Sequence, residues 1–310
     1  MLGWLIGFCV LSAVVLLGFY IFREACGRQD RPEGWEDKRV AESGDAGWQK
    51  RWEAARDWLS RQETEELEVQ SDDGFLLHGL LLPHVNPRAT VLLFHGWHSS
   101  WEMDFLCLLP FLHKQRLQCL LVDQRAQGDS EGRYMTYGVR ERLDVPVWVD
   151  YAASRFGKDH PLLLYGVSMG AATVLMASSV RYDAKVCGIV ADCGFTSPHE
   201  IIAKAGPKRL HLPPYPTLWL LELYTRLFAD FSLWGANTPD ALRSCRCPVL
   251  FIHGKADDFV PCEMTQRAYD ACASDKTLLL VDGAGHARSH ITDPEQYETA
   301  YAAFLDKCIS

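Results

Sequence analysis

Several patterns that mark common functional classes are missing from this sequence of 310 residues. It holds no C-x-x-C pair, no H-E-x-x-H pair and no G-x-G-x-x-G loop, so it predicts neither a zinc centre nor a dinucleotide site. Basic residues never form a long run, and the formal net charge of −9 disfavours a nucleic-acid binder. We therefore expect no metal ion, cofactor or nucleic acid among its ligands.

Disulfide spacing is missing as well, although the chain has 11 cysteines. The odd count and the scattered positions differ from those of a small disulfide scaffold. Most of these residues lie in apolar runs, as Cys107, Cys119 and Cys187 do. Buried free cysteines behave as small hydrophobic residues. The sequence predicts reduced thiols, which favours a reducing compartment.

Charge is absent from the start of the chain, where the 21 residues from Leu2 to Phe22 include no charged side chain. About 20 apolar residues span the hydrocarbon core of a bilayer. A cleaved signal peptide would show a basic residue before the run and a small-residue cleavage site after it. A buried amphipathic helix would show a polar face. The run has none of these features, so we predict a single-pass membrane anchor over residues 1–23.

Basic residues and a charged segment follow the apolar run. Cationic residues next to a span mark its cytoplasmic side. Those that follow this run are Arg23, Arg28, Arg31, Lys38 and Arg39. They predict a cytoplasmic domain, in agreement with the predicted thiols. Residues 24–62 are interpreted as a charged linker that includes a helix, and we expect the face with Trp48 and Trp52 to pack on the domain.

Strand-like and helix-like segments alternate over residues 63–310. The first two apolar runs, divided by "SDDG", predict a hairpin. The six later runs are "TVLLF", "QCLLV", "LLLYGV", "CGIVAD", "PVLFIHG" and "TLLLV". Buried apolar strands that alternate with helices are typical of a mostly parallel sheet covered on both faces. The sequence thus predicts an α/β fold with eight strands, whose functional residues gather at the carboxyl ends of the strands.

The carboxyl ends of three predicted strands carry a serine, an aspartate and a histidine, in that order. Ser168 lies in "GVSMG", Asp257 in "HGKADDFVP" and His286 in "GAGH". Together with "HGWHSS" after an earlier strand, these motifs resemble the α/β-hydrolase family over about residues 65–308. The segment "DQRAQGDSEG" also resembles a family motif, except that Ala126 stands where glycine is usual.

The resemblance implies a role for each of these residues. Ser168 would be the nucleophile, His286 the general base and Asp257 the acid that orients the histidine. The backbone N–H groups of Trp97 and Met169 would form the oxyanion hole. A serine hydroxyl needs such a base because it is a weak nucleophile at neutral pH. Glycines two residues before and after the serine would permit a sharp turn from strand to helix.

Each assignment has an alternative in the sequence. Ser168 taken by itself would also suit an ordinary helix N-cap. Asp258 and Asp192 are rivals for the acid, and His290 is a rival for the base. The spacing within "HGKADDFVP" favours Asp257.

An apolar insertion at about residues 195–240 interrupts the alternation of strands and helices. The family carries a cap over its active site at this position, and surplus aromatic residues in a cap favour an apolar acyl or aryl group. We therefore expect a serine hydrolase that cleaves carboxylic esters through an acyl-enzyme. A peptidase of the prolyl-oligopeptidase kind, a thioesterase and an acyltransferase are alternatives, because they use the same residues. A membrane-tethered binding module without activity is disfavoured by the intact set, and the oligomeric state is not predicted.

Overall fold

A computed structural model describes residues 1–210 and 213–309 of the chain. Two residues of the predicted cap, 211 and 212, lie outside these ranges. Eight strands form one sheet. They are β1 Glu65–Gln70, β2 Leu76–Leu82, β3 Ala89–Phe94, β4 Leu117–Val122, β5 Leu162–Val167, β6 Val186–Asp192, β7 Val249–Gly254 and β8 Lys276–Val281.

The sheet is mostly parallel, with its antiparallel part at one edge. The spatial order is β1-β2-β4-β3-β5-β6-β7-β8. The pairs β1–β2 and β2–β4 are antiparallel, and the remaining five pairs are parallel. Every residue of β3, β4, β5 and β7 is buried, as expected for apolar strands covered on both faces. The predicted α/β fold with eight strands and an opening hairpin is therefore confirmed.

Helices cover both faces of the sheet and extend beyond it at the N-terminus. They are α1 Leu2–Cys26, α2 Trp35–Glu42, α3 Ala46–Leu59, α4 Trp101–Phe105, α5 Leu109–Lys114, α6 Glu141–Phe156, α7 Met169–Met176, α8 Pro198–Leu210, α9 Pro214–Phe228, α10 Thr238–Leu242, α11 Cys262–Ala271, α12 Ser289–Thr292 and α13 Pro294–Ile309. One apolar core lies between the sheet and α3, α5 and α13. A second lies between the sheet and α6, α7 and α11.

The segment before β1 packs on the body of the protein. In α3, Trp48, Trp52 and Ala55 are buried in the first core. The last turns of α1 are buried at Phe22 and Cys26, whereas nearly all side chains from Met1 to Leu17 are exposed. Among the described helices, α1 is the one that is long and apolar enough to cross a membrane.

The insertion between β6 and β7 contains α8 and α9 and carries a third apolar cluster. Leu218, Leu221 and Tyr224 of α9 pack there with Met169 at the start of α7 and with Phe22 of α1. The cluster therefore joins the N-terminal helix, the insertion and the carboxyl end of β5. The residues at these strand ends form the candidate active site.

Candidate active site

Ser168 lies at a sharp turn between β5 and α7. Its backbone has φ +54° and ψ −113°, a conformation that L-residues seldom adopt and that costs on the order of 1–3 kcal/mol. Glycines permit this turn: a Cβ added to Gly166 would lie 2.1 Å from the carbonyl oxygen of Gly170. One added to Gly170 would lie 1.8 Å from the carbonyl oxygen of Phe94 in β3. The backbone of β3 therefore lies in direct contact with the turn.

Gly170→Ala should therefore destabilise the fold by about 3 kcal/mol, since the overpacking involves backbone atoms that cannot rotate away. Thermal unfolding of the full chain in detergent would measure the loss. Gly206→Ala in α8 is the matched control, because its added Cβ would lie 3.8 Å from the side chain of Ile202, an ordinary van der Waals contact. Equal stability of the two variants would contradict the close contact between the turn and β3.

A chain of hydrogen bonds joins the predicted serine, histidine and aspartate. His286 Nε2 lies 2.9 Å from Ser168 Oγ, and His286 Nδ1 lies 2.7 Å from Asp257 Oδ2. Ser168 occupies the N-cap position of α7, but its side chain makes no capping hydrogen bond. The hydroxyl is thus directed to the imidazole, and the interpretation of this side chain as a helix cap is wrong.

The Asp257 carboxylate is held by several donors. The N–H groups of Phe259 and Val260 donate to Oδ1 at 2.9 and 2.8 Å, and His253 Nε2 lies 3.2 Å from Oδ2. Burial by itself would raise the pKa of the carboxyl. Hydrogen bonds from His253 and His286 outweigh burial and hold the pKa of Asp257 well below its usual range. Asp257 therefore stays a carboxylate and keeps accepting a hydrogen bond from His286.

His253 is a residue whose role the sequence does not reveal. It is fully buried at the end of β7, where Nδ1 lies 2.7 Å from Thr265 Oγ1 and Nε2 lies 2.9 Å from the Val260 carbonyl oxygen. These contacts fix the ring beside Asp257. The motif "HGKADDFVP" contains His253, but its spacing gives no indication that the imidazole supports the acid.

The rival residues lie elsewhere. Asp258 is exposed. His290 Nε2 lies 3.2 Å from Glu298 Oε1, away from the serine. Asp192 is buried and accepts a hydrogen bond from Tyr297 Oη at 3.1 Å, while its carbonyl oxygen accepts one from the Ser168 N–H at 2.8 Å. Burial, partly offset by His253 and Tyr297, raises the pKa of Asp192 to about 6. Asp192 therefore supports the turn beneath the serine.

The loop after β3 lies against the serine. A Cβ added to Gly96 would be 3.3 Å from Ser168 Cβ, and Asp104 fixes the loop by accepting hydrogen bonds from the Gly96 N–H at 2.6 Å and the Ser99 hydroxyl at 2.8 Å. Trp97 follows Gly96 on this loop, and Met169 opens α7 directly after Ser168. The structure thus brings both predicted oxyanion residues next to the nucleophile, and their role stays a prediction.

The end of α1 is bonded to the same region. The Ala25 carbonyl oxygen accepts two hydrogen bonds at 2.9 Å, from Trp97 Nε1 and from Tyr137 Oη. The Met135 N–H donates to the Cys26 carbonyl oxygen at 2.7 Å. The loop that carries Trp97 is therefore attached to the last turn of the N-terminal helix.

Ser168 opens into an apolar pocket beneath the insertion. The pocket holds about 790 Å³ of space between protein atoms, its open mouth included. Its walls come from the loop after β3, from α8 and α9, and from the last turns of α1. Glu24 is the one charged residue among the described residues that line it. The contribution of α1 to this wall is a second feature that sequence reasoning missed.

One group of metal-ligand residue types overlaps this site. Donor atoms of Cys193, Asp257 and His286 lie within 4.8 Å of one another. His286 is already hydrogen-bonded to Ser168, and Asp257 already accepts a hydrogen bond from the Val260 N–H. Burial and the nearby Asp192 charge raise the pKa of the Cys193 thiol well above its usual range, so it keeps its proton. The group therefore fits a metal centre poorly.

Comparison with known proteins places the chain among proteins of one family. Residues 91–300 match the model of the alpha/beta hydrolase family. The uncharacterized protein YqkD of Bacillus subtilis is 26% identical over 242 residues, which cover 77% of this chain and 78% of YqkD. The uncharacterized protein Rv2307c of Mycobacterium tuberculosis is 28% identical over 244 residues, covering 76% and 77%. The esterase Pf2001 of Pyrococcus furiosus superposes with a TM-score of 0.67 and 26% identity, covering 82% of this chain and 94% of that one.

Proposed function

Since the chain belongs to the alpha/beta hydrolase family, we propose that this hydrolase cleaves carboxylic esters through an acyl-enzyme on Ser168. The observation that carries the proposal is the hydrogen-bond chain from Asp257 through His286 to Ser168, whose serine lines an apolar pocket. A nucleophile, a base and an orienting acid in this geometry are the requirements for acyl transfer. The likeness to an esterase supports the choice of ester as substrate.

The first half of the reaction forms the acyl-enzyme. Ser168 Oγ attacks the ester carbonyl carbon while its proton passes to His286 Nε2. The carbonyl oxygen becomes negative and accepts hydrogen bonds from the N–H groups of Trp97 and Met169. The bond from carbon to the alkoxy oxygen then breaks. The leaving alcohol takes the proton from His286, so the acyl group stays on Ser168.

The second half releases the acid. A water molecule gives a proton to His286 Nε2 as its oxygen attacks the acyl carbon. The bond to Ser168 Oγ breaks, and the serine recovers its proton from His286. Throughout both halves the Asp257 carboxylate accepts a hydrogen bond from Nδ1, which leaves Nε2 directed at the serine and stabilises the charged imidazolium.

Labelling with a fluorophosphonate probe tests the nucleophile. We expect covalent labelling of the full chain in detergent and none of Ser168→Ala, because the probe reacts with an activated serine. Ser178→Ala is the matched control, since Ser178 is buried near the end of α7 and takes no part in the proposed site. Full labelling of Ser168→Ala would overturn the assignment. Rates on matched p-nitrophenyl esters, thioesters and aminoacyl amides then separate an esterase from a thioesterase or a peptidase.

We also propose that α1 anchors the protein in a membrane, with the hydrolase domain on the cytoplasmic side. The proposal is supported by the apolar length of α1 and by the basic residues that follow it. A C-terminal tag should resist protease in intact cells and become sensitive once the cells are opened. Digestion in intact cells would reverse the orientation, and release of the protein by alkaline carbonate would exclude the anchor.

A further inference from the structure

The N-terminal helix α1 is attached to α9 of the insertion within its apolar run. A Cβ added to Gly18 would lie 2.6 Å from the Tyr224 ring, so the two helices approach closely. The Tyr224 hydroxyl donates to the Val15 carbonyl oxygen at 2.7 Å. The rings of Phe19 and Phe22 lie 6.1 and 5.8 Å from that of Phe228. The second half of α1 and the adjoining part of α9 therefore share the same surroundings.

The outer face of α9 is apolar and exposed. Trp219, Leu223 and Leu227 follow one another at intervals of four residues, with exposed fractions of 64%, 52% and 65%. Residues on a helix are separated by about 100°, so this face directly adjoins the face of Tyr224 that meets α1. Together with the exposed side chains of α1 it forms one continuous apolar surface, which we call the α1–α9 surface. Contiguous exposed apolar patches mark sites of protein or membrane interaction.

The depth of α9 follows from the length of α1. At about 1.5 Å per residue, the run from Leu2 to Phe22 measures about 30 Å, which equals the hydrocarbon thickness of a bilayer. The contacts with α9 lie between Val15 and Phe22, the last ~10 Å of that length. This is the depth at which helices lying in a membrane interface bury their apolar face.

The same two helices line the pocket at Ser168. Ile21 and Ala25 of α1 line it together with Leu218 and Leu221 of α9. The described lining residues include Glu24 but no basic side chain, so nothing among them would pair with a phosphate. An uncharged ester with a long acyl group suits these walls. The acyl group would pass from the bilayer into the pocket along α1 and α9, which border the bilayer and the pocket alike.

We infer that the α1–α9 surface is embedded in a lipid bilayer and that the substrate is a neutral acylglycerol drawn from it. The inference rests on the proposed ester hydrolysis and names the substrate class of that site. Water attacks the acyl-enzyme as above, so one acylglycerol yields a fatty acid and the glycerol with one acyl group fewer.

Hydrolysis of two esters by the full chain in phosphatidylcholine vesicles tests the inference. Monooleoylglycerol is placed in the bilayer, and p-nitrophenyl butyrate is added in water. The double variant Leu223→Glu, Leu227→Glu places two charges on the α1–α9 surface. It should lower turnover of monooleoylglycerol by at least about tenfold, because charged side chains are costly in a bilayer, and should change that of the butyrate less than about twofold.

Val85→Glu is the matched control, because Val85 is fully exposed outside this surface, and both rates should stay unchanged. If the glutamates also lower the butyrate rate, Leu223→Gln, Leu227→Gln takes their place with the same expected selectivity. The inference is overturned if the double variant leaves monooleoylglycerol turnover intact, or if the wild type cleaves the butyrate alone. A detergent-solubilised dimer that the glutamates dissociate would assign the surface to a second copy. Failure on both esters together with absent fluorophosphonate labelling would instead overturn the proposed function.

Discussion

Replacing His286 by alanine should lower kcat/KM for a soluble ester by about 10⁴-fold or more. The imidazole Nε2 lies 2.9 Å from the Ser168 hydroxyl oxygen. Without the imidazole the hydroxyl has no base to accept its proton. Ser168→Ala should cause a similar loss, and the double variant should lose little more, because the two residues act as one unit. Steady-state kinetics with p-nitrophenyl butyrate measure all three variants.

His290→Ala is the control for His286→Ala. His290 is four residues away and also pairs with an acid, Glu298, but it does not contact the serine. We expect its kcat/KM to stay within about threefold of that of the wild type. A large loss in His290→Ala, combined with a small loss in His286→Ala, would exchange the two histidines in the proposed reaction.

Asp257→Asn should lower kcat by about 10⁴-fold with little change in KM. The carboxylate accepts a hydrogen bond from His286 Nδ1 at 2.7 Å. An amide can instead donate to that nitrogen, which would place the imidazole proton on Nε2 and prevent it from accepting the serine proton. The split between kcat and KM distinguishes this loss of a base from a distorted pocket, which would raise KM.

Asp258→Asn is the matched control, since it makes the same change at the adjacent, exposed position, and it should retain activity.

The two variants, Asp257→Asn and Asp258→Asn, should also differ in stability. The depressed pKa of Asp257 means that ionisation stabilises the fold above the ordinary carboxyl pKa of 3.8, and that this contribution declines as pH falls below it. Asp257→Asn should therefore unfold more easily than Asp258→Asn at pH 7. Equal activity in both variants would contradict the acid assignment.

The sequence predicts the sheet well because strands that are buried on both faces consist almost entirely of apolar residues. The strands β3, β4, β5 and β7 are continuous apolar runs, and the glycines around Ser168 mark a turn that larger residues would block. The parallel order of the strands then brings their carboxyl ends together. Ser168 and His286 can therefore be assigned to one site although 118 positions separate them in the sequence, and Asp257 lies between them.

Contacts between distant segments cannot be predicted from the composition of either segment. His253 supports Asp257 through a buried imidazole, yet a histidine in an apolar strand end is equally compatible with ordinary packing. The run from Leu2 to Phe22 indicates a span by its length and its lack of a polar face, but lipid and protein cores both select apolar side chains. That Ile21 and Ala25 line the pocket depends on the tertiary position of α1, which periodicity does not encode.

The two hydrogen bonds on the Ala25 carbonyl oxygen bear on how the protein should be purified. An apolar N-terminal helix is commonly removed to obtain a shorter protein for purification. Here a cut after Cys26 would take away one wall of the pocket and the acceptor that holds the Trp97 indole. The ester preferences of such a shortened protein would describe a wider and less ordered site than that of the full chain, so substrate screening belongs in detergent or nanodiscs with α1 in place.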